Sequence, residues 1–273
     1  MDAILARYGE LWLKSGWVKR QMQKMLAANI SICLKRNKIN FGAIKIEQAG
    51  IVISTKDKKA LKSLKNVFGI TSYSPVYVIE KEFDKIKEKA LELYKAAKKG
   101  ATFRISAKRA DKKFPMESQT VAAKIGEYII QKTGAKVKMK DSDVDVQIKI
   151  SDKAYLYSEK ILGAGGLPIG SQQRVLCIVR KQKDLEACIK MMRRGCLVDI
   201  ICFGKCATGK IEKTYYNCSE KLRVIKFKSK DVYAAAIDAA KEIGAWAIVS
   251  TDSIKKMAGE RQKHNFLMLN PMI

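Results

Sequence analysis

Cysteine and the basic side chains are the residues of this 273-residue sequence whose types could do chemistry. Six of its seven cysteines fall within a short stretch: Cys177, Cys188, Cys196, Cys202, Cys206 and Cys218. Structural metal sites need paired C-x₂₋₄-C knuckles, and only Cys202-x₃-Cys206 approaches one. Cys177 and Cys202 lie in apolar runs that read as buried strands and Cys188 on a helix, where a free thiol behaves as a small hydrophobe. The expectation is reduced, structural thiols and no metal, with any redox or sulfur-carrying role left to Cys202, Cys206 and Cys218. The single histidine, His264, sits beside Arg261 and Lys263 without a partner that would make a triad, and is expected at the surface.

The basic residues carry a stronger signal. Lys108, Arg109, Lys112 and Lys113 surround a loop that ends in Phe114-Pro115, a dense set of phosphate donors beside a ring that could stack on a base or ribose. Lys14, Lys19 and Arg20 form a second, sparser patch. Either run could instead be a solvated surface with Phe114 as a core anchor.

The whole chain carries 54 Lys plus Arg against 27 Asp plus Glu, a formal +27. No tail holds the excess. Residues 1–75 carry 14 basic against 4 acidic side chains, residues 76–165 carry 20 against 13, and residues 166–273 carry 20 against 10. Charge spread over every segment repels itself unless an anionic partner is at hand, and suits a long phosphate surface. A solvated surface of a thermophile is the competing reading. With 47% apolar residues, the chain is globular, and no run reaches the ~18 to 20 apolar residues of a membrane span. A cytoplasmic protein is expected, with no membrane partner.

The elements that must hold these residues divide into three segments. Residues 1–75 read β-α-β-β-α-β, a ferredoxin-like arrangement, with a strand from Ala3, a helix capped at Ser15 and two strands around Gly50. Residues 76–165 open with a charged helix ended by Gly100. A strand from Thr102, a helix after Ser118 closed near Gly134, and a strand alternating at Val144, Val146, Ile148 and Ile150 follow. Gly163 to Gly170, with four glycines and Pro168, read as a linker. Its partial G-x-G-x-x-G character is weak because it precedes a strand where a dinucleotide loop must follow one. Residues 171–273 alternate strands (Val175 to Val179, Val198 to Phe203, Val224 to Phe227, Ala247 to Ser250) with helices, which implies a parallel sheet.

Three stretches carry a resemblance. RYGELWLKSG at the start, FRISAKRADKKFP from Phe103, and GAGGLPIGSQQRVLCIV from Gly163 resemble, in that order, landmarks of the tRNA 4-thiouridine synthetases, also called thiamine-biosynthesis sulfurtransferases. The resemblance implies an α/β protein with a ferredoxin-like N-terminal domain (1–75), a THUMP domain (76–165), and a shortened, parallel-sheet, Rossmann-like PP-loop domain (171–273). In that family the first two domains grip tRNA, THUMP at the acceptor stem and 3′ end. The Lys108 to Phe114 loop is therefore the first expected RNA contact, and Lys14, Lys19 and Arg20 the second.

Two departures stand against catalysis. The family's nucleotide loop, Ser-Gly-Gly-x-Asp-Ser, follows the first strand of the third domain, because glycine lets backbone N–H groups approach a pyrophosphate at a helix start. Here that strand is followed by Arg180-Lys181-Gln182-Lys183-Asp184. The sulfur-handling cysteine expected ahead of the helix leading to GAWAIVSTDS is also missing, since Lys228-Ser229-Lys230 stands there. The expectation is a tRNA-binding protein with a degenerate PP-loop domain, no catalytic residue and no cofactor. ATP enters only under the alternative of a divergent but active sulfurtransferase. A third reading is an RNA adaptor with a protein partner. The oligomeric state, homodimer included, is left open.

Overall fold

The computed structural model describes residues 1–9, 15–97, 100–204, 206, 208–209, 211, 223–227 and 231–272. They gather into two compact units, one made of Met1–Arg7, Ile39–Lys62 and Ser72–Leu162, the other of Tyr8–Lys38, Ser63–Thr71 and Gly163–Ile273.

The first unit is built on one eight-stranded sheet. Strands β1 (Ala3–Arg7), β2 (Ile44–Glu47), β3 (Gly50–Ser54), β4 (Ser72–Ile79), β5 (Phe103–Arg109), β6 (Val144–Ile150), β7 (Ala154–Tyr157) and β8 (Ile161–Leu162) supply it. The order is β2-β3-β1-β4-β7-β6-β5, with β8 paired to β4. The first helix α1 (Gly16–Arg36) and the short α2 (Lys59–Leu64) complete the expected β-α-β-β-α-β order. Strand β4 runs through the boundary expected near residue 75 and pairs with both β1 and β7, so the strands of the first two segments share one sheet.

Period-two alternation sorts the faces of that sheet. Val144, Val146, Ile148 and Ile150 pack with Ile86 and Ala90 of α3 (Phe83–Lys95) and with Val121, Ile125 and Ile129 of α4 (Ser118–Thr133). Helix α4 ends as expected, with Gly134 at φ +67 in the left-handed region. The opposite face gathers Ala3, Leu5, Val52, Val76, Tyr155 and Tyr157, a cluster that contains no helical residue among the described residues.

In the second unit β9 (Arg174–Val179), β10 (Leu197–Phe203), β11 (Val224–Phe227), β12 (Ala247–Val249) and β13 (Met268–Leu269) form a sheet of order β11-β10-β9-β12-β13. Each adjacent pair is parallel. The expected parallel pairing of Val175 to Val179 with Val198 to Phe203 is present, Val198 opposite Val175. Burial on both faces explains the unbroken apolar runs. Val175, Cys177 and Val179 pack with Leu185, Cys188 and Met192 of α5 (Asp184–Arg193), whereas Leu176 and Ile178 meet Tyr233 and Ile237 of α6 (Val232–Glu242) and Met257 of α7 (Ile254–His264).

The stretch from Gly163 is no free linker. Leu167 N donates to Arg193 O at 2.9 Å and Gly165 N to Ile70 O at 2.8 Å. A Cβ on Gly166, whose φ is +70, would lie 2.1 Å from Arg193 O, and one on Gly163 would lie 2.2 Å from Ile70 O. Close backbone approach is thus what these two glycines supply.

Candidate nucleic-acid interface

Strand β5 delivers the first expected site. Phe103, Ile105 and Ala107 face the helices, so Arg104, Ser106 and Lys108 take the other face. Its neighbour β6 is parallel and in register, with Arg104 opposite Asp145 and Lys108 opposite Lys149. The first pair is complementary: Arg104 Nη2 lies 2.5 Å from Asp145, which also accepts from Ser106 Oγ at 2.8 Å. The second pair is two ammonium groups, and like charges directly opposite destabilise a sheet.

The loop after β5 is braced by its own charges. Arg109 donates from its guanidinium to Phe114 O at 2.9 Å and Met116 O at 3.3 Å, and its backbone N–H donates to Ser118 Oγ. Asp111 accepts from Lys81 Nζ at 2.7 Å and from Lys113 N at 2.9 Å. These contacts fix the backbone and leave the Lys108, Lys112 and Lys113 side chains exposed. No ion pair engages those three lysines among the described residues.

Phe114 is a correction to the expected stacking surface. Its ring is 5% exposed and belongs to the core under α3 and α4, because Arg109 draws the Phe114 carbonyl inward and the strand–helix connection turns the ring beneath it. Arg109 likewise acts as the brace of the loop. Lys19 and Arg20 lie on the first turn of α1 in the second unit, Arg20 Nε donating to Gly16 O at 3.4 Å. Lys14 lies outside the described residues.

Three features escaped the sequence reading. Lys149 of β6 extends across the sheet to donate from Nζ to Ala49 O in the β2–β3 turn. Burial, with repulsion from Arg7 and Lys108, brings its ammonium pKa down to about 8. Arg7, at the end of β1, stacks its guanidinium 4.6 Å over the Tyr157 ring and donates to Ser74 Oγ. The third is an apolar groove between β5 and α4, lined by Ile105, Ala122, Gly126, Ile130, Val137 and Met139. Val137 and Met139 are 46% and 70% exposed and alternate with exposed Lys136, Lys138 and Lys140. The K-V-K-M-K spacing was the available signal for the groove, and the alternation of β6 the signal for Lys149.

At the carboxyl ends of β9 and β12, where parallel sheets bind ligands, a network of hydrogen bonds joins the start of α5 to the segment after β12. Asp184, 1% exposed at the start of α5, accepts from Arg180 N at 2.8 Å, Lys181 N at 3.1 Å and Thr251 Oγ at 2.6 Å. Arg180 pairs bidentately with Asp252 at 2.8 and 3.0 Å, and Tyr233 donates to the same carboxylate at 2.8 Å. Burial raises the Asp252 pKa, but hydrogen bonds from Arg180, Tyr233 and Lys256 outweigh it and hold the carboxyl well below its usual range. The backbone N–H groups of Arg180 and Lys181, two donors ahead of α5, are thus occupied by the chain's own carboxylate.

The cysteines split. Cys33, Cys177, Cys188 and Cys196 are free and buried, and desolvation raises the Cys177 thiol pKa well above its ordinary value. Cys202 and Cys206 are joined in a disulfide at the end of β10, against the expectation that all thiols are reduced. The short loop after β10 brings their α-carbons to 6.1 Å, within disulfide reach. Cys218 lies outside the described residues. Among the described residues there is no cluster of three metal-ligating side chains, and no helix is long and apolar enough to cross a membrane.

Comparison with known proteins agrees with this geometry. The ThiI ferredoxin-like domain family matches residues 3–74 and the THUMP domain family matches residues 80–159. A probable tRNA sulfurtransferase of Methanocaldococcus jannaschii is 40% identical over 204 residues, covering 71% of this chain and 53% of the relative. The chain belongs to the tRNA sulfurtransferase family. It spans about half the length of that relative, and of a Clostridium kluyveri one that is 37% identical. A third family member, from Thermococcus kodakarensis, is 29% identical, with 98% of this chain and 80% of the relative covered. The solved structure of PH1313 from Pyrococcus horikoshii superposes over the whole chain and 95% of that protein, at TM-score 0.87 and 28% identity. A 4-thiouridine synthetase solved with RNA and ATP shares the fold at TM-score 0.79 and 16% identity, over 100% of this chain and 81% of that one.

Proposed function

We propose that this member of the tRNA sulfurtransferase family binds tRNA through its ferredoxin-like and THUMP elements, at the acceptor stem and 3′ end, without ATP-dependent adenylation. The observation that carries the reading is a rigid loop, braced by Arg109 and Asp111, that presents Lys108, Lys112 and Lys113 without carboxylate partners among the described residues. Phosphates are the ligands such unneutralised ammonium groups attract. The apolar groove beside Lys136, Lys138 and Lys140 suits an unpaired base at an RNA end, since apolar side chains can pack on any base face. The fold shared with the RNA-bound 4-thiouridine synthetase supports the same assignment.

Filter binding of tRNA over a salt series tests it. Affinity falls linearly on a log–log plot, with a slope set by the number of phosphates neutralised. A tRNA lacking its unpaired 3′ nucleotides binds more weakly. Salt-independent affinity, or indifference to the 3′ end, contradicts the reading.

One observation favours the alternative of an active sulfurtransferase. Cys202 and Cys206 stand at the carboxyl end of β10, the edge of a parallel sheet where ligands bind. Calorimetry with ATP separates the two readings: heat of binding that disappears on changing Lys181 and Lys183 supports catalysis, and its absence supports the RNA-binding protein.

A further inference from the structure

Helix α1 carries no acidic residue along its whole length, and one flank of it bares an aromatic ring beside cations. Met22, Leu26, Ile30 and Leu34 are buried on the packed side. Trp17, Arg20, Gln21 and Lys24 recur at three- and four-residue spacing on the other side, where helical geometry makes them neighbours, and all four are exposed. Trp17 is 70% exposed, and with Met139 it is among the barest large apolar side chains of the described chain. Arg20 Nε donates to Gly16 O at 3.4 Å, which lays the guanidinium along the turn that carries Trp17. Lys24 follows one turn later on the same flank. Among the described residues no carboxylate pairs with Arg20 or Lys24.

Folding alone does not favour this flank. Like charges four residues apart on a helix repel, and an indole left in water forgoes the gain of burial. An occupant with a flat face and adjoining negative charge would relieve both.

We propose that Trp17, Arg20 and Lys24 form a single-stranded RNA site on the flank of α1, where the indole stacks on an unpaired base and the two cations take the phosphates beside it. The ligand class rests on the RNA-binding reading above. The basic patch expected from the sequence held Arg20; the ring and Lys24 are what the helix adds to it.

The side chains favour a nucleotide over other anionic partners. A membrane surface needs a broad apolar face, whereas the neighbours of Trp17 on this flank are Arg20, Gln21 and Lys24. An acidic peptide would satisfy the cations and leave the ring without a matching plane. A nucleotide brings both parts together: every base has a π-face for the ring, and its phosphates suit a basic groove or stripe. The cations contribute differently. The guanidinium is planar and presents several N–H donors to one phosphate, while the Lys24 ammonium acts as a point charge.

The test reads the ring directly in the full chain. The protein is produced with fluorotryptophan, and of its three tryptophans the Trp17 resonance is assigned by its loss in Trp17→Phe. It is followed by ¹⁹F NMR through titrations with tRNA, with a short single-stranded oligoribonucleotide, with an abasic oligomer of the same length, and with polyglutamate of equal charge. tRNA and the oligoribonucleotide shift the Trp17 resonance, and the abasic oligomer and polyglutamate leave it nearly in place. Trp17→Ala weakens oligoribonucleotide binding about tenfold, the factor that about 1.4 kcal/mol corresponds to, at the lower part of the range for a base stacked on an aromatic side chain. Its salt slope is unchanged, and Trp17→Phe recovers most of the affinity. Lys24→Gln lowers the slope by about 1 and retains the Trp17 shift. Each of these positions is exposed, so urea midpoints stay at the wild-type value.

A Trp17 resonance that ignores the oligoribonucleotide overturns the site. An equal shift with the abasic oligomer overturns base stacking, and an equal shift with polyglutamate overturns RNA as the occupant. If tRNA binds wild type and Trp17→Ala alike, with the expected salt slope, the RNA-binding reading survives and this site does not.

Discussion

Replacing Asp184 with alanine tests the claim that the start of α5 is closed by the chain's own carboxylate. The side chain is 1% exposed and accepts three hydrogen bonds, from two backbone amides and the Thr251 hydroxyl. A hydrogen bond to a charged group nets about 1.5–3 kcal/mol, and such contributions do not add in full within one network. The hydroxyl can rotate to another acceptor, whereas the two amides are fixed by the turn before the helix. The loss should therefore be about 3–5 kcal/mol, the range for removing one member of a buried charged set. Thr251→Val removes one donor and should cost about 1.5–3 kcal/mol, and the double variant should cost less than the sum. Urea unfolding, read by hydrogen exchange of the β9 and β10 amides, isolates the parallel sheet from the eight-stranded one. tRNA affinity in native conditions should not change, because Asp184 is not one of the cations assigned to RNA. A cost below about 1 kcal/mol for Asp184→Ala, set against that range, would refute the reasoning and reopen the helix start to an exogenous anion.

Phe114→Ala should destabilise by about 3–5 kcal/mol in urea denaturation, the usual cost of emptying a buried aromatic site, whereas Lys112→Gln with Lys113→Gln should leave stability within about 0.5 kcal/mol and weaken tRNA binding; the reverse pattern would restore Phe114 as a stacking surface. Asp252 predicts an acid limb. Its folded pKa is depressed, so the stability it contributes is present above its unfolded value near 4 and is lost as pH falls below that toward the folded value. Urea midpoints between pH 6 and pH 3 should fall more steeply for the wild type than for Asp252→Asn.

Sequence alone determined what depends on periodicity and local backbone chemistry. Alternation at Val144, Val146, Ile148 and Ile150 gave a one-faced strand, the unbroken run at Val175 a strand buried on both sides, and Gly134 a helix end. Composition gave the polycationic character, and the substitution of Arg180-Lys181-Gln182-Lys183 for a glycine loop was visible without coordinates. Only the tertiary structure decided which charges meet. Phe114 looked like an aromatic among lysines until the turn held by Arg109 carried it into the core. Asp184 was one acidic residue in a basic stretch until β12 brought Thr251 against it from 67 residues away. Lys149 and Lys108 are 41 residues apart, and the register of β5 with β6 makes them neighbours. Local pattern fixes the direction in which a side chain points, because each element has its own period. What it points at is set by pairing between distant strands, which no window of sequence contains.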